Sequence, residues 1–351
     1  MVIERTLLYD RGTKESEIPK DEYIGIDKLP FKQTKAMMAE VSYYAQNQAS
    51  FASASEMIKK SMGIEIDATT VRKTAEYVGE KVHAADITRS EAAYENIANT
   101  EYINSRKGTL YILTDGAMVN TRSADEKGTT WRENKLALIF SDRDMLKTKG
   151  GSNIILKKEY AAYIGSSEEF KKHVFEAAVR NGYGSFENVV VIGDGATWIR
   201  SMCSELFPDA TQILDKYHLC ENIYTYAKSL FNNVVSEYTE WAQTVIDKIE
   251  KGRIGEVFAM IEKSGQIGDS TFNLATYIQN NIDKINYAFY ERQGWFIGSG
   301  AIESGNKIVL QRRLKQPGMR WNVNTAQFIV TLRAKLESRL WQNHVVDLIC
   351  S

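Results

Sequence analysis

Residues 188–196 read NVVVIGDGA, and residues 109–117 read TLYILTDGA. Each is a short apolar run, rich in β-branched or aromatic residues, that stops at Asp-Gly, the pattern of a buried strand ending in a turn. Strands of this kind leave Asp115 and Asp194 at their C-terminal edges. In open α/β sheets that edge is where ligands bind.

Working outward, Thr109–Thr114, Lys135–Ser141, Ser152–Leu156, Asn188–Ile192 and Ala210–Leu214 read as five strands, with helices over 166–181 and 196–207. The fold class is therefore α/β, a mixed five-stranded sheet with flanking helices. Residues 216–297 form an all-helical insertion, with Trp241, Val245 and Ile249 and then Tyr277, Ile278, Ile282 and Ile285 as its apolar stripes. Residues 298–351 return to the core as helices, one opened by Gly298 and Gly300 and carrying Glu303, and a last one from Thr325 to Trp341. The first core segment spans 107–215.

Ahead of it, residues 34–106 are helical. Ser53 with Glu56 reads as a capping box, Gly63 as a helix end, and Asp67 as the cap of a second helix from Ala68. Val71, Ala75 and Val78 share one face of that helix and leave Thr69, Thr70, Arg72, Lys73 and Tyr77 outward. Two short helices about a glycine turn suit a helix-turn-helix-like DNA-binding module, and equally a helical hairpin with a solvated face. Residues 1–33 read as an extended N-terminal arm or a truncated module.

Composition sets limits. Of 351 residues 43% are hydrophobic and only four are proline, which fits a folded, helix-rich chain. No apolar stretch approaches the roughly 20 residues of a membrane span, and the charged N-terminus is unlike a signal peptide, so a cytoplasmic protein without membrane contact is expected. Lys plus Arg number 44 against 45 Asp plus Glu, a net charge of −1, so a surface for nucleic acid has to be local. Cys203, Cys220 and Cys350 are scattered and read as buried free thiols.

Residues 298–307 read GSGAIESGNK, followed by QRRLK at 311–315. Asp115, Asp194 and Glu303 together form the oxygen-donor set of a metal-dependent phosphoryl-transfer site. Unit charges about 4 Å apart repel by roughly 4 kcal/mol at an effective dielectric near 20, a cost that a divalent cation removes. Such a set suits two Mg²⁺ ions about 3.5 to 4 Å apart, with Mn²⁺ as substitute. Taken singly, each aspartate also fits an ordinary Asp-Gly turn or helix cap, and His218 an ordinary structural histidine.

The chain resembles bacterial insertion-sequence transposases of the DDE type, near the Kra-type and Lre-type branches and more distantly the Mutator-type enzymes. The resemblance is carried by SFASASEMIKKSMGIEIDATTVRKTAEYVG (50–79), TDGAMVNTR, WRENKLALIF, VIGDGATWIR, LDKYHL and, most specifically, GSGAIESGNKIVLQRRLKQPGMRW (298–321). It implies an RNase H-like catalytic core in which Asp115, Asp194 and Glu303, 79 and 109 residues apart, are catalytic and hold Mg²⁺. Asp215 and His218 match a D-x-x-H element whose histidine acts near the scissile phosphate. The stretch before Thr34 is short for that family, which reads as a truncated copy with incomplete recognition of element ends.

The expected function is thus a DNA transposase that cleaves phosphodiesters and transfers strands of an insertion sequence, nucleoid-associated when bound. Thr69, Thr70, Arg72, Lys73, Lys307, Arg312, Arg313, Lys315 and Arg320 would contact DNA at element ends and target, and Trp198, Trp295 and Trp321 could stack on an unpaired base. A homodimer or larger assembly on DNA is expected, since two ends must be paired. The alternatives are a catalytically silent repressor derived from a transposase and another RNase H-like nuclease. A two-carboxylate glycosidase leaves the basic run unexplained.

Overall fold

A computed structural model describes residues 7–14, 16–17, 23, 25–97, 106–126, 128–149, 153–264 and 273–351. The chain divides into two compact units, the first built from 1–88, 119–132 and 308–351, the second from 89–118 and 133–307.

The second unit carries the sheet. Its strands are β1 (Arg106–Asn120), β2 (Trp131–Ser141), β5 (Glu159–Ile164), β6 (Phe186–Gly193) and β7 (Thr211–Leu214), in the order β5-β2-β1-β6-β7. β2 and β5 are antiparallel, while β1, β6 and β7 run parallel, so the sheet is mixed. A separate two-stranded ribbon, β3 (Met145–Lys147) with β4 (Asn153–Ile155), stands outside it. Helices α4 (Ser167–Arg180) and α5 (Thr197–Leu206) pack on the sheet through Phe170, Val174, Phe175, Met202 and Leu206 against Leu110, Ile112 and Val191. Full burial of an aliphatic or aromatic side chain contributes about 1.5–3 kcal/mol, and Val190, Val191 and Ile192 are at most 1% exposed, so the NVVVI run is an anchor of this core.

Two strand expectations are corrected. The apolar stretch Ser152–Leu156 is not a sheet strand: Ile154 and Leu156 are exposed on and beside β4, and the third sheet strand is β5, EYAAYI. β1 does not stop at Asp115 but continues to Asn120, because its neighbour β2 accompanies it to a turn closed by Thr121 N donating to Thr130 O at 2.8 Å. The insertion is helical as expected, in α6 (Lys216–Leu230), α7 (Val235–Glu250), α8 (Ile254–Lys263), α9 (Leu274–Asn280) and α10 (Tyr287–Arg292). Val245, Ile249, Ile278 and Ile285 are buried there, whereas Ile282 is exposed.

In the first unit, α1 (Lys35–Asn47), α2 (Phe51–Met62) and α3 (Ala68–Glu95), whose residues past Thr88 count with the second unit, precede the helix α12 (Val323–Glu337), with α11 (Gly300–Gly305) belonging to the second unit. The capping box lies earlier than expected: Ser50 caps α2 and exchanges bonds with Ser53, not Ser53 with Glu56. Gly63 ends α2 at φ 70°, and Asp67 caps α3 through the amides of Thr69 and Thr70, as read from the sequence. Val71, Ala75 and Val78 are fully buried. At 28 residues α3 is far longer than the short second helix expected of a helix-turn-helix, and its Val78 and Val82 are buried with Leu332 and Val345. All three cysteines are free, but only Cys203 is buried, and Cys350 is exposed in the last turn. Among the described residues no helix is long and apolar enough to cross a membrane.

Candidate active site

Leu113 of β1 pairs in parallel with Ile192 of β6. Two residues beyond that pair, Asp115 on β1 and Asp194, just past the end of β6, lie close enough for the charge of Asp194 to act on Asp115. Gly193, at the end of β6, leaves no room for a side chain: a Cβ there would stand 2.9 Å from Thr114 Oγ1 and 2.5 Å from Ile199 Cδ1. Both acids are half-buried and braced by their own backbone turns. Asp115 Oδ1 accepts from Gly116 N at 2.8 Å, and Asp194 Oδ1 from Ala196 N at 2.9 Å. The Tyr277 hydroxyl, from the helical insertion, donates to the Asp194 carbonyl at 3.1 Å.

The Asp115 carboxylate senses its surroundings. Burial pushes the Asp115 carboxyl up, hydrogen bonds from Gly116 and Asn306 and the charge of His218 oppose that rise, and Asp194 adds to it, leaving the group above its ordinary range. His218 carries the compensating charge. Asp215, 1% exposed, caps α6 by accepting from Tyr217 N and bonds His218 Nδ1. That bond to Asp215 raises the imidazole to about 9 against the effect of burial, and the charges of Asp215, Asp115 and Asp194 add to the rise. Burial alone would raise Asp215, but hydrogen bonds from His218 and Ser299 outweigh it and hold the carboxyl below its usual range. With Nδ1 engaged, Nε2 is the nitrogen left to serve a ligand.

Glu303 enters from α11. It accepts from Ser299 Oγ at 2.5 Å, and Ser299 also lies within hydrogen-bonding reach of Asp215, so Glu303 and the Asp215–His218 pair share one hydroxyl with a single proton to give. Three residues on, Asn306 Nδ2 donates to Asp115 Oδ2 at 2.6 Å. Residues three apart on a helix face the same way, so the Glu303 face is the one turned toward Asp115. The Lys216 amide donates to Ile297 O at 3.0 Å and fixes the segment leading into α11 beside the start of α6.

Among the described residues, no three His, Cys, Asp or Glu side chains stand close enough to enclose a metal ion. Mg²⁺ commonly uses only one or two carboxylates and completes its shell with water and substrate phosphate. Asp115 beside Asp194, one raised by burial and by the other, fits that demand for an oxygen-donor pair needing a cation. Glu303 is engaged with Ser299 instead. Asn306 and Ser299 were not singled out from the sequence; the spacing of Asn306 three positions after Glu303 in ESGNK was the available signal.

The expected DNA contacts divide. Thr69, Lys73, Lys307, Arg312, Lys315 and Arg320 are exposed. Thr70 is turned onto Asp67 through a 2.6 Å hydroxyl bond, and Arg72 is paired with Glu76 at 2.8 Å. Arg313 is not on the surface: it is 1% exposed, its guanidinium held between the rings of Phe51 and Trp321. The three tryptophans are spoken for as well. Trp198 packs edge-on to Phe170, Trp295 stacks on Tyr290, and Trp321 is buried, its indole N–H donating to Leu314 O at 3.1 Å.

A family model described as an uncharacterised protein family, UPF0236, matches residues 1–332, and the chain belongs to that family. No curated protein matches the chain.

Proposed function

We propose that this UPF0236 member is a DNA transposase with an RNase H-like core, acting on phosphodiesters through Asp115, Asp194 and Glu303. The observation that carries the reading is that Asp115 and Asp194 come within electrostatic reach of each other where the parallel pairing of β1 with β6 ends, with Asn306, three residues after Glu303, bonded to Asp115. Asp115 and Asp194 would hold Mg²⁺, with Glu303 as the third acid. Bound there, Mg²⁺ supplies Lewis-acid polarisation of the phosphate and acidifies an attacking water or 3′-hydroxyl.

The remaining work belongs to side chains of this chain. Asn306 orients the Asp115 carboxylate by holding Oδ2. Asp215 fixes the His218 ring through Nδ1, so that a protonated Nε2 can hold a non-bridging phosphate oxygen or pass its proton to the departing oxygen. Exposed Thr69, Lys73, Lys307, Arg312, Lys315 and Arg320 offer phosphate contacts that position DNA without reading bases. Asp194→Asn is expected to abolish Mg²⁺-dependent cleavage of DNA bearing the element ends while DNA binding persists. Undiminished cleavage by that variant would sink the assignment.

One observation favours a second reading, a DNA-binding regulator that does not cut: Glu303 is hydrogen-bonded to Ser299 rather than gathered with the two aspartates. Such a protein would bind DNA with a steep salt dependence and give no nicked product in Mg²⁺ or Mn²⁺.

A further inference from the structure

A cavity of about 570 Å³ lies wholly within the first unit, and its charge is lopsided: among the described residues, Arg72, Arg122, Arg313 and Arg320 line it against a single acid, Glu76. Glu76 is already satisfied, accepting twice from Arg72 Nη1 at 2.8 Å and from Thr325 Oγ1 at 2.6 Å. Arg313 is the built element of the wall. Its Nε donates to Ala45 O at 3.1 Å and its Nη1 to Ala49 O at 3.3 Å, its Cζ lies 4.5 Å from the Phe51 centroid and 4.8 Å from that of Trp321, and its Nη2 is buried with no partner among the described residues.

An unbonded donor on a buried cation is costly to leave so, and it asks for an acceptor from outside the chain. Two helix N-termini open onto the same space. Ser50 and Phe51 begin α2, and Asn322 and Thr325 lie in the first turn of α12, adding the positive ends of two helices of 12 and 15 residues. The Trp321 amide and carbonyl are stitched to Asn120 O and Arg122 N at 3.0 and 2.8 Å, which holds Arg122 at the rim beside Arg320.

Forked guanidiniums with helix N-termini suit a phosphate, and the volume exceeds what an inorganic anion needs. Met319 and the half-buried Phe51 ring give the same cavity an apolar portion. We infer that this cavity is a phosphate-ester site that takes one nucleotide unit, with Arg313, Arg122 and Arg320 on the phosphate and the apolar wall against the base. The phosphate could belong to a free nucleotide or to a nucleic-acid strand. The inference goes beyond the cleavage reading and does not depend on it, since the acids of that reading lie in the other unit.

Calorimetric titration of the full-length protein with dAMP, deoxyadenosine, inorganic phosphate and a tetradeoxyadenylate without terminal phosphates tests it. dAMP or the tetranucleotide should bind, inorganic phosphate should compete, and deoxyadenosine should bind at least about tenfold more weakly, as expected for loss of charge-assisted hydrogen bonds. Arg320→Glu and Arg122→Glu, both at exposed positions, should each weaken the phosphate ligands about tenfold or more with the melting temperature unchanged. Tighter dAMP identifies a free monoester, and a tighter tetranucleotide identifies a strand. Arg313→Lys, which keeps charge but loses Nη2, should weaken both; should it fail to fold, the two exposed variants still decide. Equal binding of deoxyadenosine, no binding of any phosphate probe, or indifference to both charge reversals overturns the proposal.

Discussion

Asp215 in the second unit and Arg313 in the first are each 1% exposed, and the chain neutralises them by different means. Asp215 has an ionic partner, His218. Among the described residues Arg313 has no carboxylate partner, and it rests on two aromatic rings and two backbone carbonyls. The bond to Asp215 raises His218 to about 9, so the second unit's site holds a proton that it can give to a reacting oxygen. A guanidinium on rings and carbonyls stays charged: burial and Arg333 lower Arg313 only to about 10. The first arrangement suits chemistry and the second suits holding an anion.

Four experiments break or sharpen that contrast. The largest effect is expected for Asp115→Asn, which should lower Mg²⁺-dependent DNA cleavage by roughly a thousandfold or more, the rate equivalent of several kcal/mol of charge stabilisation. Retained activity would remove chemistry from the second unit. Next, Arg313→Ala should cost about 3 kcal/mol in urea unfolding, because it leaves two carbonyls without donors and a void between two rings. A loss below about 1 kcal/mol would mean that the cradle stabilises nothing beyond ordinary packing.

Gly193→Ala should cost about 2 kcal/mol by overpacking against Ile199 and Thr114, and should also reduce cleavage by separating β1 from β6. The smallest effect concerns pH. His218 is raised from 6.5 to about 9, so its contribution is fully present below pH 6.5 and is lost as pH rises through about 9. Because the ring is partly exposed, about 1 kcal/mol is expected after solvent screening, and His218→Gln should flatten the stability profile across that window. A variant profile parallel to that of the parent would separate the histidine from the ion pair.

Much of the second unit was legible because its strands are continuous apolar runs ending in Asp-Gly. β5 was not, and the reason is Glu159. An acid at the head of EYAAYI hides the strand, yet Glu159 is buried because Arg180 pairs with it and Asn181 Nδ2 donates to it at 2.8 Å. The more apolar SNIIL drew the assignment instead and lies in a ribbon with Ile154 and Leu156 exposed. Asp115, Asp194 and His218 were readable as candidates, and the structure brings them within electrostatic reach of one another. The burial of Arg313 was unreadable in QRRLK, since the carbonyls and rings that receive it come from residues 45 to 51 and from Trp321. Local pattern carries periodicity; it does not carry partners more than 250 residues away.

The parallel pairing of β1 with β6 also bears on how the molecule assembles. Leu113 meets Ile192 only after β2, β5 and α4 have been threaded between them, and contacts of such sequence separation form slowly because loop closure is paid for first. During synthesis Asp115 emerges long before Asp194, so the like-charged pair cannot form until β6 has emerged, and His218, which compensates it, follows further along the chain. Refolding should therefore show helix formation well ahead of the sheet pairing that brings the two acids side by side.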